Sequence, residues 1–121
     1  MEFIEKLKDM DSKTENFKSK YFVIRNGLAF EDGENEIGLS IQASEGHYSN
    51  PRESVELDEY KAMEIAVFIN GNFARVADIT DYEELANKFK SYSSGGVYGY
   101  VPVELIEELY QDMKVKYKEV V

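Results

Sequence analysis

The sequence predicts a two-layer α+β domain, a mainly antiparallel sheet of about five to six strands with one N-terminal helix and two helices in the C-terminal half. Three observations predict it. Apolar residues recur at steps of three and four near both ends of the chain and alternate in its middle, and two Asn-Gly pairs, Asn26-Gly27 and Asn70-Gly71, separate β-prone runs. Tight hairpins make neighbouring strands antiparallel, which leaves the terminal helices to cover a face of the sheet.

Residues 2 to 20 place Phe3, Leu7, Met10, Thr14 and Phe17 on one seam with charges elsewhere, predicting a helix that covers the sheet or another molecule. One domain is expected over 1–121, with residues 1–20 either part of its body or a separable arm whose seam could mediate self-association. From Tyr21 the period changes: YFVIR, Asn26-Gly27 and LAFE read as a first hairpin with a type I′ turn. DGEN is a turn, and EIGLSIQA alternates Ile37, Leu39 and Ile41 with Gly38, Ser40 and Gln42, a strand at the periphery or wet on one side. MEIAVFI is apolar on both faces, as in a central strand covered on both sides, and Asn70-Gly71 turns it into NFARV. Thr80 and Glu83 have capping-box spacing ahead of a helix from about Asp81 to Lys90 that buries Tyr82, Leu85, Ala86 and Phe89. SYSSGG reads as a flexible connection, VYGYV as a short strand, and Pro102 as the start of a third helix. In that helix Leu105, Ile106, Leu109, Met113 and Tyr117 form a stripe, with glutamates early and lysines late, the order the helix dipole favours.

Composition narrows the function. The 121 residues include nine Tyr and seven Phe, enough bulky apolar material for a core, and no cysteine, which removes disulfides, thiolate nucleophiles and Cys-based metal sites. Lack of cysteine fits a cytoplasmic location. The N-terminal residues contain no continuous apolar stretch and no run is long enough to span a bilayer, so neither a signal peptide nor membrane association is expected. The net charge is −10, with all of the excess acid after residue 20; such a surface repels nucleic acid and favours a protein partner, including a basic one.

The stretch SEGHYSNPRESVEL, residues 44 to 57, holds the single histidine. Any imidazole chemistry must run through His47, with Glu45, Tyr48, Ser49, Arg52 and Glu53 nearby in sequence, but no G-x-S-x-G context supports a serine nucleophile. His47, Tyr48 and Arg52 are therefore candidate contact residues rather than a catalytic set, and no catalytic residue is assigned. Tyr98 and Tyr100 fall on one face of a regular strand and are candidate interface anchors. The acids from Glu31 to Glu36 lack EF-hand spacing, since Ile37 stands where its glycine belongs; a weak cation site or a solvated turn remains. Ser93-Ser94-Gly95-Gly96 lacks a phosphate-loop lysine, and the adjacent carboxylates Asp58-Glu59 and Glu83-Glu84 diverge on regular elements. No metal or cofactor is expected.

Two segments, AFEDGENEIGLSIQASEGHYSNPRE and GGVYGYVPVELIEELYQ, resemble small acidic proteins encoded by phages and prophages of Gram-positive bacteria. The resemblance covers about half the chain, implies no activity and transfers no catalytic residue. It implies a protein that acts by binding a host or phage protein. The expectation is thus a non-enzymatic protein-binding module, a class that includes nucleic-acid mimics and anti-CRISPR inhibitors. The alternative is a small enzyme or ligand-binding domain using the His47 loop.

Overall fold

A computed structural model describes residues 1–120. Its C-terminal helix is the clearest product of the sequence pattern: α3 (Val103–Lys116) follows Pro102 and buries Leu105, Ile106, Leu109, Tyr110 and Met113. Each side chain of this kind contributes about 1.5–3 kcal/mol when removed from water. Beside it lies α1 (Glu2–Lys13), which buries Phe3, Ile4 and Leu7 in the same core. The first-turn amide of Phe3 donates to Glu107 Oε1 of α3 at 2.9 Å, satisfying one of the donors a helix start leaves free. Lys114 pairs with Glu2 across the two helices.

These helices back an antiparallel sheet in the spatial order β7 (Ser93–Ser94), β8 (Val97–Pro102), β5 (Ala62–Ile69), β4 (Glu36–Gln42), β3 (Leu28–Glu31), β9 (Lys118–Glu119). A seventh strand, β6 (Asn72–Ala74), pairs with the end of β5. The turn between them uses Asn70 and Gly71 at φ 51° and 82°, the two positive φ values a type I′ turn requires. Inward residues of β4 and β5, Ile37 opposite Ile69, Leu39 opposite Val67 and Ile41 opposite Ile65, supply the sheet's share of the core. The two-layer α+β architecture is as the sequence predicts.

Several details differ. Helix α1 stops at Lys13 rather than near residue 20, because Thr14 turns extended (φ −137°) and its Oγ1 accepts from Asn26 Nδ2 at 2.7 Å. Phe17 therefore leaves the helical seam and joins β1 (Phe17–Lys18), which pairs with β2 (Val23–Ile24) as a separate two-stranded ribbon. The expected hairpin across Asn26-Gly27 does not form. Both edges of β3 are occupied, by β4 and β9, so β2 has no place beside it. Gly27 serves a close approach instead, since a Cβ there would lie 3.0 Å from the Leu39 carbonyl oxygen. Strand β4 is internal rather than peripheral, though Gly38 and Ser40 leave one of its faces half-exposed as expected, and the outer face of β5 is covered only in part, with Phe68 half-buried against an exposed Phe73. SYSSGG is an ordered hairpin, in which Gly95 and Gly96 at φ 58° and 93° join β7 to β8. Helix α2 spans Glu83–Lys90 and buries Leu85, Ala86 and Phe89, but Tyr82 precedes it and is 65% exposed. Thr80 Oγ1 accepts from the Tyr82 amide and donates to Asp112 at 2.8 Å, so it ties α2 to α3 without a capping box to Glu83.

Candidate functional site

Alternation along β4 turns Gly38, Ser40 and Gln42 to the sheet face opposite the helices, in register with Phe68, Ala66 and Glu64 of β5. The chain leaves β4 at this face and returns to β5 through residues 43–61, which are tied down by polar side chains. Gln42 bonds both backbone groups of Arg25: its Oε1 accepts from the amide at 2.8 Å and its Nε2 donates to the carbonyl at 2.9 Å. The Arg25 guanidinium, itself buried, donates to the Ala43 carbonyl at 2.7 Å and lies 3.7 Å from Asp11 of α1. Ser49 Oγ lies 3.2 Å from the Ser44 carbonyl oxygen and 3.0 Å from that of Pro51. Tyr60, only 4% exposed, donates its hydroxyl to the Glu53 carbonyl at 2.6 Å and accepts from the Val55 amide at 3.1 Å. Asn50 adds a backbone bridge to Ala62 at the head of β5.

His47 belongs to this foundation. Its Nδ1 lies 2.6 Å from Ser44 Oγ, and its ring meets Phe22 of the ribbon edge to face at 5.7 Å. Burial pushes the imidazole pKa down; Glu64 opposes this, while Arg25 and Arg52 add to it. The Ser44 and Ser49 hydroxyls are closed to a substrate, because these residues are 0% and 1% exposed. Among the described residues no hydrogen bond joins His47 to Arg52 or to a carboxylate. The pair is a strut within the loop, and nothing in its geometry places a nucleophile at a surface.

Above this base stand the aromatic rings. Tyr48 and Tyr100 are 40% and 46% exposed and stack at 5.7 Å with 28° between their planes. Arg52 lies over the Tyr48 ring at 5.2 Å and donates from Nε to the Glu45 carbonyl at 3.1 Å. Two features bring the loop against β8: the Tyr100 amide donates to the Tyr48 carbonyl at 2.9 Å, and a Cβ on Gly99 would sit 3.0 Å from the Tyr48 Cβ. Tyr100 adopts φ 54°, a left-handed backbone that a bulky side chain rarely takes. A groove of about 350 Å³ runs beside the stack, lined also by Ser91, Tyr92, Ser93 and Ser94.

The structure thus gathers His47, Tyr48, Arg52 and Tyr100 but not Tyr98. The pairing of β5 with β8 shifts register between Met63 and Ile65, so the two tyrosines do not share a face. Tyr98 is buried against Phe89 and its hydroxyl accepts from the Val76 amide at 3.1 Å. Sequence reasoning missed Phe22, which sits so near the loop that a Cβ on Gly46 would lie 2.3 Å from its ring. It also missed Arg25 and Gln42, which bond across distant parts of the chain, and Ser44 and Tyr60, whose partners lie within the loop itself; an arginine inside a β-prone run gives no local sign of this use.

Elsewhere, the Asp32 carboxylate closes the β3–β4 turn by accepting from the amides of Glu34 and Asn35 at 2.9 and 2.7 Å. Those bonds lower its pKa. Among the described residues no group of three or more His, Asp or Glu is arranged to hold a metal ion, and no helix is long and apolar enough to cross a membrane. No protein-family model, curated protein or solved structure matches the chain.

Proposed function

We propose that the protein is a protein-binding module whose contact face comprises the β1–β2 ribbon, the 44–52 loop and Tyr100. One observation carries the reading. Of the eleven large apolar side chains left exposed among the described residues, six lie here: Phe17, Tyr21, Phe22, Ile24, Tyr48 and Tyr100. Apolar surface gathered in this way marks interaction sites, and aromatic residues with arginine supply most binding anchors. The fixed loop beneath lowers the entropy lost on docking.

The partner is a host or phage protein, in keeping with the phage-type texture of the sequence. Recognition at this face is by aromatic contact rather than by negative charge, since Lys20 lies over the Tyr21 ring and Arg52 over that of Tyr48. The test is capture from bacterial lysate by the full chain and by a Tyr48→Ser, Tyr100→Asn double variant, followed by titration of the purified captured protein. A protein bound at least about tenfold more weakly by the variant, with the variant still fully folded at the assay temperature, is the expected result. Equal binding by both chains would overturn the proposal.

A further inference from the structure

At the opposite end of α2 from the Tyr48–Tyr100 groove, residues of α2 and of the second half of α3 line a cleft of about 590 Å³. Its apolar lining is Tyr82, Leu85 and Val115, and two of these are strongly exposed, Tyr82 at 65% and Val115 at 90%. Around them stand five carboxylates, from Asp81, Glu83, Glu84, Glu108 and Asp112, against one lysine, Lys88. Ion pairs strap the two ends: Lys88 to Glu108 at 3.0 Å, and Lys116 to Asp81 at 2.9 Å. Such solvent-exposed pairs are weak and exchange readily for a partner's cations. Glu83 and Glu84 carry no ion pair among the described residues.

We propose that this groove docks a basic amphipathic helix of another protein, with one or two bulky apolar side chains entering between Tyr82 and Val115 and flanking Lys or Arg residues meeting the carboxylates. Charge complementarity and shape together select this occupant. Glu108, Gln111, Asp112 and Val115 recur at the three and four spacing of one helix face, which spans about 10 Å and matches roughly two turns of an incoming helix. An acidic or neutral apolar helix would bring no cations to Glu83 and Glu84. The inference stands on its own observations and is independent of the aromatic face.

The probe is a fifteen-residue amphipathic peptide of Leu and Lys, with Leu at three and four spacing, titrated into the isotopically labelled full chain. Controls are the same pattern with Glu for Lys, and a scrambled Leu/Lys peptide. Saturable shifts centred on the Leu85 and Val115 methyl groups are expected with the patterned Lys peptide alone. A Tyr82→Ser, Val115→Ser variant, which leaves every charge in place, should bind at least about tenfold more weakly, and so should Glu83→Lys with Glu84→Lys. Both positions of the first variant are exposed, so unchanged melting curves are expected to confirm its fold, and Tyr48→Ser should bind the peptide as the parent does. No binding, shifts spread over the acidic surface, equal binding of the scrambled or Glu peptide, or indifference to the Tyr82 and Val115 changes would each overturn the proposal.

Discussion

On the helix side of the sheet the side chains removed from water are hydrocarbons such as Phe3, Leu7, Ile65 and Leu109, whereas on the loop side Arg25, Gln42, Ser44, His47 and Ser49 are buried and the Tyr48 and Tyr100 rings stand outside. Hydrocarbon burial is strong but non-directional, so it holds α1 and α3 on the sheet without requiring one atomic arrangement. Hydrogen bonds among buried polar groups are directional and costly to leave unmade, so they fix the loop in one geometry. The first kind of packing makes the domain stable; the second makes a platform on which Tyr48 and Tyr100 keep their positions.

The largest test of this contrast is Leu109→Ala, at a fully buried position in α3. A loss of about 2–5 kcal/mol is expected, with secondary and tertiary probes moving together in urea. Next is Tyr60→Phe, which removes one oxygen and leaves the ring. The Glu53 carbonyl and the Val55 amide lose their partner, and a loss of about 1–3 kcal/mol is expected in the same assay. If Tyr60→Phe is silent, packing alone holds the loop and the contrast fails.

The sequence is legible where one property repeats along one element. The α3 stripe, the alternation of Ile37, Leu39 and Ile41, and the Asn70-Gly71 turn all appear as expected. It is misleading where the deciding partner is remote. Asn26-Gly27 carries the same turn preference as Asn70-Gly71, yet occupation of both β3 edges by β4 and β9 overrides it. The register shift beside β8 separates Tyr98 from Tyr100, and Thr80 bonds Asp112 in place of forming a cap. In the candidate site, residue type pointed to His47, Tyr48, Arg52 and Tyr100, but the foundation depends on contacts such as Arg25 to Ala43 and Tyr60 to Glu53, which no local pattern encodes.

His47 gives a third test, through pH. Its folded pKa lies below the ordinary 6.5, chiefly because of burial. The unfolded chain therefore takes up a proton first as pH falls, and the stability present above about pH 6.5 is lost progressively toward the folded pKa. The lowered carboxylates Glu2, Asp32 and Asp78 act in the same direction, but at or below their own ordinary values of 4.5, 3.8 and 3.8. Between pH 7.5 and 5.5 the parent's urea midpoint should thus decline, while a His47→Gln variant should show a flatter response, each pH set by the buffer alone. A parent midpoint that does not change over this range, or an equal decline in the variant, would remove His47 from the polar foundation as a neutral group.

The smallest expected change in stability belongs to Tyr100→Asn, and it separates presentation from packing. The left-handed backbone at Tyr100 costs about 1–3 kcal/mol for a non-glycine residue, and asparagine tolerates that conformation better than most. Losing the stack on Tyr48 removes about 0.5–1.5 kcal/mol. The two effects oppose each other, so the net shift should stay within about 1 kcal/mol in either direction. Tyr100→Phe, which keeps both backbone and ring, should likewise leave stability and partner capture near the parent's. A contact residue on a polar platform predicts that Tyr100→Asn loses capture while stability stays within that range. If Tyr100→Asn instead destabilises the chain by more than about 2 kcal/mol, the ring is part of the packing, and the difference between the two sides of the sheet narrows.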